Sequence, residues 1–125
     1  MGGAVDLLFS LVLALFLTHQ LDAVRGREWR VLPVFNALSE ATGRTAYIIL
    51  HAPLLWLILL GCWSAEAETR DFWRFVVAGF GPVHFGLHWL LREHPHYDFD
   101  GLLSRGLIIG YGALGALYVA LALAI

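Results

Sequence analysis

Histidines and one aspartate are the side chains in this sequence best suited to chemistry. His19 is followed three residues later by Asp22, and His84 is followed four residues later by His88. Residues three or four apart lie on the same face of a helix, so each pair directs both of its side chains to one side. Imidazole and carboxylate groups without thiolates suit zinc, non-haem iron or manganese better than copper(I). The two spacings therefore indicate a metal site.

Other histidines extend this set to a larger candidate group. The predicted metal ligands are His19, Asp22, His51, His84 and His88. Facing helices that supply histidines and carboxylates form such sites in helix bundles, and more than four ligands would leave room for two metal ions. His94 and His96 flank a proline and are expected in a solvated turn. Glu28 could fold back as a ligand or base, but a surface ion pair with a neighbouring arginine is the expected arrangement.

Composition indicates where such a site would lie. Of the 125 residues, 59% are hydrophobic and 14% charged, and the mean hydropathy is +0.71. A soluble domain has about 25% charged residues, so this chain is predicted to be a membrane protein. The single cysteine excludes an intramolecular disulfide and a thiolate metal site, and the net charge of −2 gives no reason to expect nucleic-acid binding.

Long apolar runs predict the overall architecture. About 20 apolar residues are needed to cross a bilayer. The sequence predicts an all-α fold, an integral-membrane four-helix bundle in one domain (1–125), with spans at about 4–23, 45–63, 72–91 and 101–125. Gly106 and Gly110 in the last span have the small-xxx-small spacing that lets helix backbones approach closely.

The connections between the spans also carry local signals. A short interfacial helix is predicted between the first and second spans, with Pro33 in its first turn and Gly43 at its end. Asp98 or Asp100 is predicted to cap the fourth helix.

Arginine distribution predicts the orientation in an inner (plasma) membrane. Six arginines lie in or beside the first and third loops, and two lie beside the second loop. The six are Arg25, Arg27, Arg30, Arg44, Arg92 and Arg105, and the two are Arg70 and Arg74. Since arginine resists translocation, both termini are expected outside, with loops 24–44 and 92–100 in the cytoplasm. All six histidines then fall in the cytoplasmic half or at its edge. Ionisable groups at such depth are a functional-site hypothesis by default.

Two short patches resemble known membrane families. The run Thr18–Ala23 (THQLDA), with Glu28–Arg30 after it, resembles small uncharacterised bacterial four-span membrane proteins that carry a His-x-x-acid motif at the end of their first span. It is also remotely similar to the family named for a His-x-x-Glu-Glu motif, where a later histidine helix precedes an arginine and a tyrosine-containing turn, as His88, Arg92 and Tyr97 do here. This chain has Asp-Ala in place of the paired glutamates. The resemblance implies an enzymatic role without a particular reaction.

The leading functional hypothesis is an integral-membrane metal-binding protein, a metal-dependent enzyme acting on a lipid-like or other apolar substrate at the cytoplasmic interface. Zinc would make it a hydrolase and non-haem iron an oxygenase. In this hypothesis the histidines His19, His51, His84 and His88 are ligands, and Asp22 is a ligand or orients one.

Two alternatives belong to other classes of protein. In the first, His51 and His84 ligate one haem b or chlorin axially within the bundle. In the second, the protein is a non-catalytic accessory subunit of a membrane complex, and its histidines form hydrogen bonds between helices. The expected partners are the lipid bilayer and either a second copy of the chain or a larger membrane complex.

Overall fold

The computed structural model describes residues 2–125, and all of the regular structure in that range is helical. Four long helices follow one another along the chain. They are α1 (Gly3–Arg25), α2 (Glu40–Cys62), α3 (Ala67–Leu91) and α4 (Leu102–Ala124). Two short 3-10 turns, Glu28–Arg30 and Phe35–Ala37, lie between α1 and α2. The predicted all-α fold is confirmed.

Three of the four helices are long and apolar enough to cross a membrane, namely α1, α2 and α4. Length does not distinguish α3, because its 25 residues would extend about 37 Å at 1.5 Å per residue. Composition distinguishes α3 from the other three helices, because α3 carries His84 and His88 together with Arg70 and Arg74. The predicted span at 72–91 therefore stays a prediction.

Glycines bring α3 and α4 close together. A Cβ atom on Gly81 would lie 2.6 Å from the carbonyl oxygen of Tyr111, and one on Gly115 would lie closer still to the carbonyl oxygen of Ala78. Such contacts let helix backbones approach directly. A Cβ on Gly106 would meet nothing within 4 Å. The close approach of α3 and α4 therefore uses Gly81 and Gly115, whereas a Cβ on Gly110 of the predicted small-xxx-small pair would meet Leu15 of α1 at 3.5 Å.

The core lies mainly between α1, α3 and α4, and Ile58 and Cys62 of α2 also belong to it. Phe9 of α1 packs against Tyr118 of α4 with ring centroids 5.4 Å apart, and Phe16 packs against Tyr111 at 5.5 Å. Helix α2 is placed differently. It packs against α3 and the two short turns, and its packing against α1 and α4 is much sparser. This arrangement leaves space inside the bundle beside α2.

The connection between α1 and α2 differs from the prediction. Helix α2 begins at Glu40, where the Ser39 side chain accepts a hydrogen bond from the backbone N–H of Thr42 at 3.3 Å. Gly43 therefore lies in the first turn of α2 and does not end a helix. A Cβ there would be 3.1 Å from the Trp29 ring, so glycine lets that indole pack against α2. The two 3-10 turns occupy the region where an interfacial helix was expected.

Two further local predictions are wrong. Pro33 lies between the two 3-10 turns and not in the first turn of a helix. The N-cap of α4 is Gly101, and no side chain caps it. Asp98 instead accepts a long hydrogen bond from Arg25 at 3.4 Å, and Asp100 pairs with an arginine within α4. Both aspartates precede the N-cap residue Gly101, so neither side chain occupies the cap position.

Candidate metal centre

Three predicted histidines and one glutamate converge at one point in the bundle. His19, Glu28, His84 and His88 each offer one ligand atom, and these atoms all lie within 4.8 Å of one another. All four residues are buried. His19 comes from near the end of α1, Glu28 from the first 3-10 turn, and the other two from successive turns of α3. Three separate elements therefore build the group, which we call the cluster.

The distances within the cluster fit a metal site. Nε2 of His84 lies 2.7 Å from Nε2 of His19 and 3.0 Å from Nε2 of His88. Oε1 of Glu28 lies 3.3 Å from Nε2 of His88 and 3.9 Å from Nε2 of His19 and His84. Tetrahedral ligands about 2.0–2.2 Å from a zinc ion would lie about 3.4 Å apart. The observed separations bracket that value, and three imidazole nitrogens with one carboxylate oxygen suit zinc or non-haem iron.

Two tyrosines hold the outer sides of these ligands. The Tyr47 hydroxyl donates a hydrogen bond to Oε2 of Glu28, the oxygen away from the histidines. The Tyr97 hydroxyl lies 3.0 Å from Nδ1 of His88. Partners of this kind orient metal ligands and set the ring tautomer. Both contacts turn the remaining ligand atom, Oε1 or Nε2, towards the centre of the cluster.

The turn after α1 explains how Glu28 reaches the histidines. Arg27 has φ 53°, a left-handed conformation uncommon for a residue with a side chain, and it reverses the chain just before Glu28. Gly26 comes immediately before it, and a Cβ there would lie 2.6 Å from the Phe99 ring. Phe99 itself packs on His88 with ring centroids 4.8 Å apart. The glycine thus lets this aromatic ring cover the cluster.

Electrostatics favour an ionised carboxylate in the cluster. Burial raises the pKa of Glu28, but the neighbouring His19 and His88 imidazoles and the hydrogen bond from Tyr47 lower it, and the net shift is downward. Burial, and then the negative charge of Asp100, raise the pKa of Tyr97 to about 12. At neutral pH the cluster therefore carries one anionic carboxylate, and Tyr97 keeps its proton.

The structure does not bring the other two predicted ligands into the cluster. Asp22 is buried, but its Oδ1 accepts a hydrogen bond from Nε of Arg25 at 2.7 Å. Nε2 of His51 lies 2.9 Å from the Gln20 side-chain oxygen, and its Nδ1 lies 2.6 Å from the Tyr47 carbonyl oxygen. Of the five predicted ligands, His19, His84 and His88 come together.

Sequence reasoning assigned Glu28 to the surface, and this was wrong. Glu28 is only 8% exposed, and its partners are the cluster histidines and Tyr47. Its separation of nine residues from His19 is not a helical spacing, so periodicity could not join the two. The one usable signal was Gly26, which marks the end of α1 and permits the chain to turn back.

The remaining histidines lie apart from the cluster. His94 is half-buried and His96 exposed in the α3–α4 connection, where the backbone N–H of His96 donates to Nδ1 of His94 at 3.1 Å. For the haem alternative, His51 and His84 do line one cavity. Their Nε2 atoms, however, face other side chains, Gln20 for one and the cluster histidines for the other.

That cavity has a volume of about 670 Å³ and reaches the cluster. Glu28, His84 and His88 form part of its wall, and most of the remaining wall is aliphatic or aromatic. Small-molecule sites have volumes of about 300–1,000 Å³ and are mostly apolar with a few polar groups. The cavity therefore gives an apolar molecule direct access to the candidate metal ligands.

Comparison with known proteins identifies the family but no function. A family model described as a family of unknown function, DUF6713, matches residues 5–124. No curated protein and no solved structure matches the chain. The match includes all four cluster residues and nearly the whole chain. The chain therefore belongs to the DUF6713 family.

Proposed function

We propose that this protein is an integral-membrane metalloprotein whose metal ion is held by His19, Glu28, His84 and His88. The observation that carries the proposal is the convergence of these four buried side chains within 4.8 Å. An ionised carboxylate removed from water is strongly unfavourable unless a positive charge compensates it. A divalent cation bound by the three imidazoles would supply that charge where no arginine faces Glu28 among residues 2–125.

We further propose that the metal centre is catalytic and acts on a lipid-like or other apolar substrate. Because four protein ligands fill a tetrahedral site, bound zinc would need a fifth position to supply an activated water for attack on an ester or amide, and bound iron would use its open positions to support an oxygenation. The protein's own part is to orient the ligands through Tyr47 and Tyr97 and to exclude water with Phe99. The apolar cavity that meets the cluster supports an apolar substrate over a polar one.

The proposal includes a membrane position for the cluster. All four long helices, α3 included, would cross an inner membrane, with both termini outside and the connections 24–44 and 92–100 in the cytoplasm. Arginine distribution supports this orientation. His19 lies near the end of α1 and His88 near the end of α3, so the cluster would lie close to the cytoplasmic surface.

Metal analysis of the purified protein tests the proposal. The wild-type chain should carry zinc or iron in stoichiometric amount after purification in detergent. His88→Ala and His19→Ala should abolish retention, because each removes an imidazole from the cluster. His96→Ala is the matched control, since His96 is exposed outside the cluster and its loss should leave the metal content unchanged.

The same preparation separates the other candidate functions. A Soret band would contradict the proposal in favour of haem held by His51 and His84. No stoichiometric metal, or metal content unchanged by both cluster substitutions, would also contradict it. In that case, native assembly retained with His19 and His88 both replaced would favour a structural accessory subunit.

A further inference from the structure

The cavity beside the cluster lies between α2 and α3 and extends to the inner faces of α1 and α4, which contribute Phe16, Gln20 and Tyr111. From α2 it is lined by residues at helical spacing, Tyr47, His51, Leu54 and Ile58. The wall from α3 extends from Trp73 to Leu91. The gap exists because α2 packs against α3 but only sparsely against α1 and α4. A close-packed bundle would have filled this volume with side chains.

Most polar side chains of the wall lie in one half of the cavity, which we call the polar end, although Leu87, Leu90 and Leu91 of α3 also line that half. The polar end holds Gln20, Glu28, Tyr47, His51, His84, His88 and Tyr97. The other end is lined by Ile58, Trp73, Val77 and Phe80. Trp73 and His84 are eleven residues apart on α3, which separates the two ends by about 16 Å along the helix axis. The cavity is therefore amphipathic along its length.

The cavity also opens to the side of the bundle. Leu54 of α2 and Val76 of α3 both line it, yet they remain 48% and 42% exposed. An opening flanked by two such residues lies between the apolar outer faces of the two helices. In the proposed membrane position this opening would face lipid hydrocarbon and not water.

We infer that the cavity binds one single-chain amphiphile, such as a fatty acid or long-chain alcohol. The amphiphile enters sideways between α2 and α3. Its hydrocarbon tail runs towards Trp73, and its oxygen-containing end group lies beside the cluster. The volume of about 670 Å³ is that of a site for one small molecule, so we commit to a single chain over a two-chain phospholipid. This inference deepens the proposed function and rests on it for the role of the chain as substrate.

The end group would meet hydrogen-bonding partners that no apolar tail could satisfy. His51 and Gln20 lie on the cavity wall and bond to each other at 2.9 Å. An oxygen-containing end group can add a hydrogen bond to these groups, whereas a hydrocarbon end would exclude water from them and from Glu28 without replacing its hydrogen bonds. The polar end therefore fixes the direction in which the chain lies.

Native mass spectrometry of the detergent-purified protein with palmitic acid tests this inference, because one spectrum reports both the bound fatty acid and the bound metal. The wild-type protein should retain one palmitic acid. Val76→Trp should reduce its occupancy by about tenfold or more, equivalent to about 1.4 kcal/mol, because the indole blocks the opening. Leu54→Trp blocks the same opening from α2 and should act alike.

Val83→Trp is the matched control on the same helix. Val83 is 57% exposed and does not line the cavity, so this variant should bind palmitic acid as the wild type does. His19→Ala should lose the metal and still bind the neutral long-chain alcohol hexadecanol, whose hydroxyl group does not repel Glu28, because His19 is a cluster residue outside the cavity wall.

Failure of the inference and failure of the proposed function give different spectra. No palmitic acid on the wild type, or equal binding by Val76→Trp and Leu54→Trp, would overturn the chain site whatever the metal content. Retention of a two-chain phospholipid in place of palmitic acid would overturn the single-chain assignment. Palmitic acid retained by the wild-type protein without metal would support the fatty-acid site and contradict the metal centre.

Discussion

The two ends of the helix bundle both bring ionisable side chains together, but only at one end does a fixed cation of the protein balance the carboxylate. Near the start of α1, Arg74 donates hydrogen bonds to Asp6 at 2.7 Å and to the carbonyl oxygen of Cys62 at 3.2 Å. Its guanidinium group lies 5.0 Å from the centroid of the Phe9 ring. Opposite charges face each other there, and the pair fastens α1 to α3.

The cluster at the other end lacks such a fixed cation. Its acidic group is the Glu28 carboxylate, and the groups facing it are imidazoles. Three Nε2 atoms crowd the same point, which is the arrangement of ligands around an ion. An internal ion pair stabilises the fold at one end, whereas at the other end a cation from solution would, in the proposed function, complete the group of one carboxylate and three imidazoles.

Of the substitutions that test this difference, replacing the Glu28 carboxylate should have the largest effect, and the quantity affected is metal affinity. Glu28→Gln keeps the side-chain shape but removes the charge, and we expect metal affinity to fall by more than the roughly 10–100-fold loss typical of an outer partner. Titration with a competing chelator measures it. Asp6→Asn removes a carboxylate from the opposite end and should leave the affinity unchanged. Equal losses in both variants would refute the distinction between the ends.

A glycine at the ion-pair end should affect stability and not metal binding. A Cβ on Gly61 would overlap the Trp73 ring, so Gly61→Ala should lower the free energy of unfolding by about 1–3 kcal/mol. Thermal unfolding in detergent measures this. Gly79→Ala is the control, because its Cβ would meet only Val119 at 3.8 Å, an ordinary contact. Metal lost along with stability in Gly61→Ala alone would show that the two ends are coupled.

Removing one hydroxyl beside the cluster should weaken the metal site without abolishing it. Tyr97→Phe takes away the partner of His88 Nδ1, and metal affinity should fall by roughly 10–100-fold, as it does for other outer partners. The chelator titration again provides the measurement. Tyr118→Phe, on the face of α4 that packs against Phe9, serves as the comparison and should bind metal normally. An unchanged affinity for Tyr97→Phe would mean that this tyrosine does not position the ligand.

Removing the Arg74–Asp6 ion pair should have the smallest effect, and the quantity affected is the free energy of unfolding. The Asp6 side chain is about half exposed, and exposed pairs typically contribute about 0.2–1 kcal/mol. Asp6→Asn should therefore lower the free energy of unfolding by no more than that, as measured by thermal unfolding in detergent. A larger loss would identify this pair as a principal fastening of α1 to α3.

Sequence periodicity predicted the parts of the cluster that lie on one helix. The spacing of His84 and His88 is sufficient to place both on one face of α3, and a common depth added His19 from α1. The same reasoning misjudged Asp22, because its distance from His19 along α1 does not fix which way each side chain turns. Its carboxylate pairs with Arg25 instead.

Glu28 shows why the rest was beyond sequence reasoning. Its position depends on the left-handed backbone of Arg27 and on the fit of Gly26 beneath Phe99, which are tertiary features. By contrast, the all-helical fold could be predicted from the apolar runs. The gap beside α2 does not, because sequence gives helix lengths but not which helices pack together.

The turn that carries Glu28 has a consequence for how an ion would exchange. Three ligands stand on long helices that are fixed by the packing of the core, whereas the fourth stands on a three-residue 3-10 turn. The imidazoles therefore form a preorganised open face, and the carboxylate closes it. Exchange would follow the opening rate of this turn, so loading and release should be slow compared with the encounter of an ion with the three histidines.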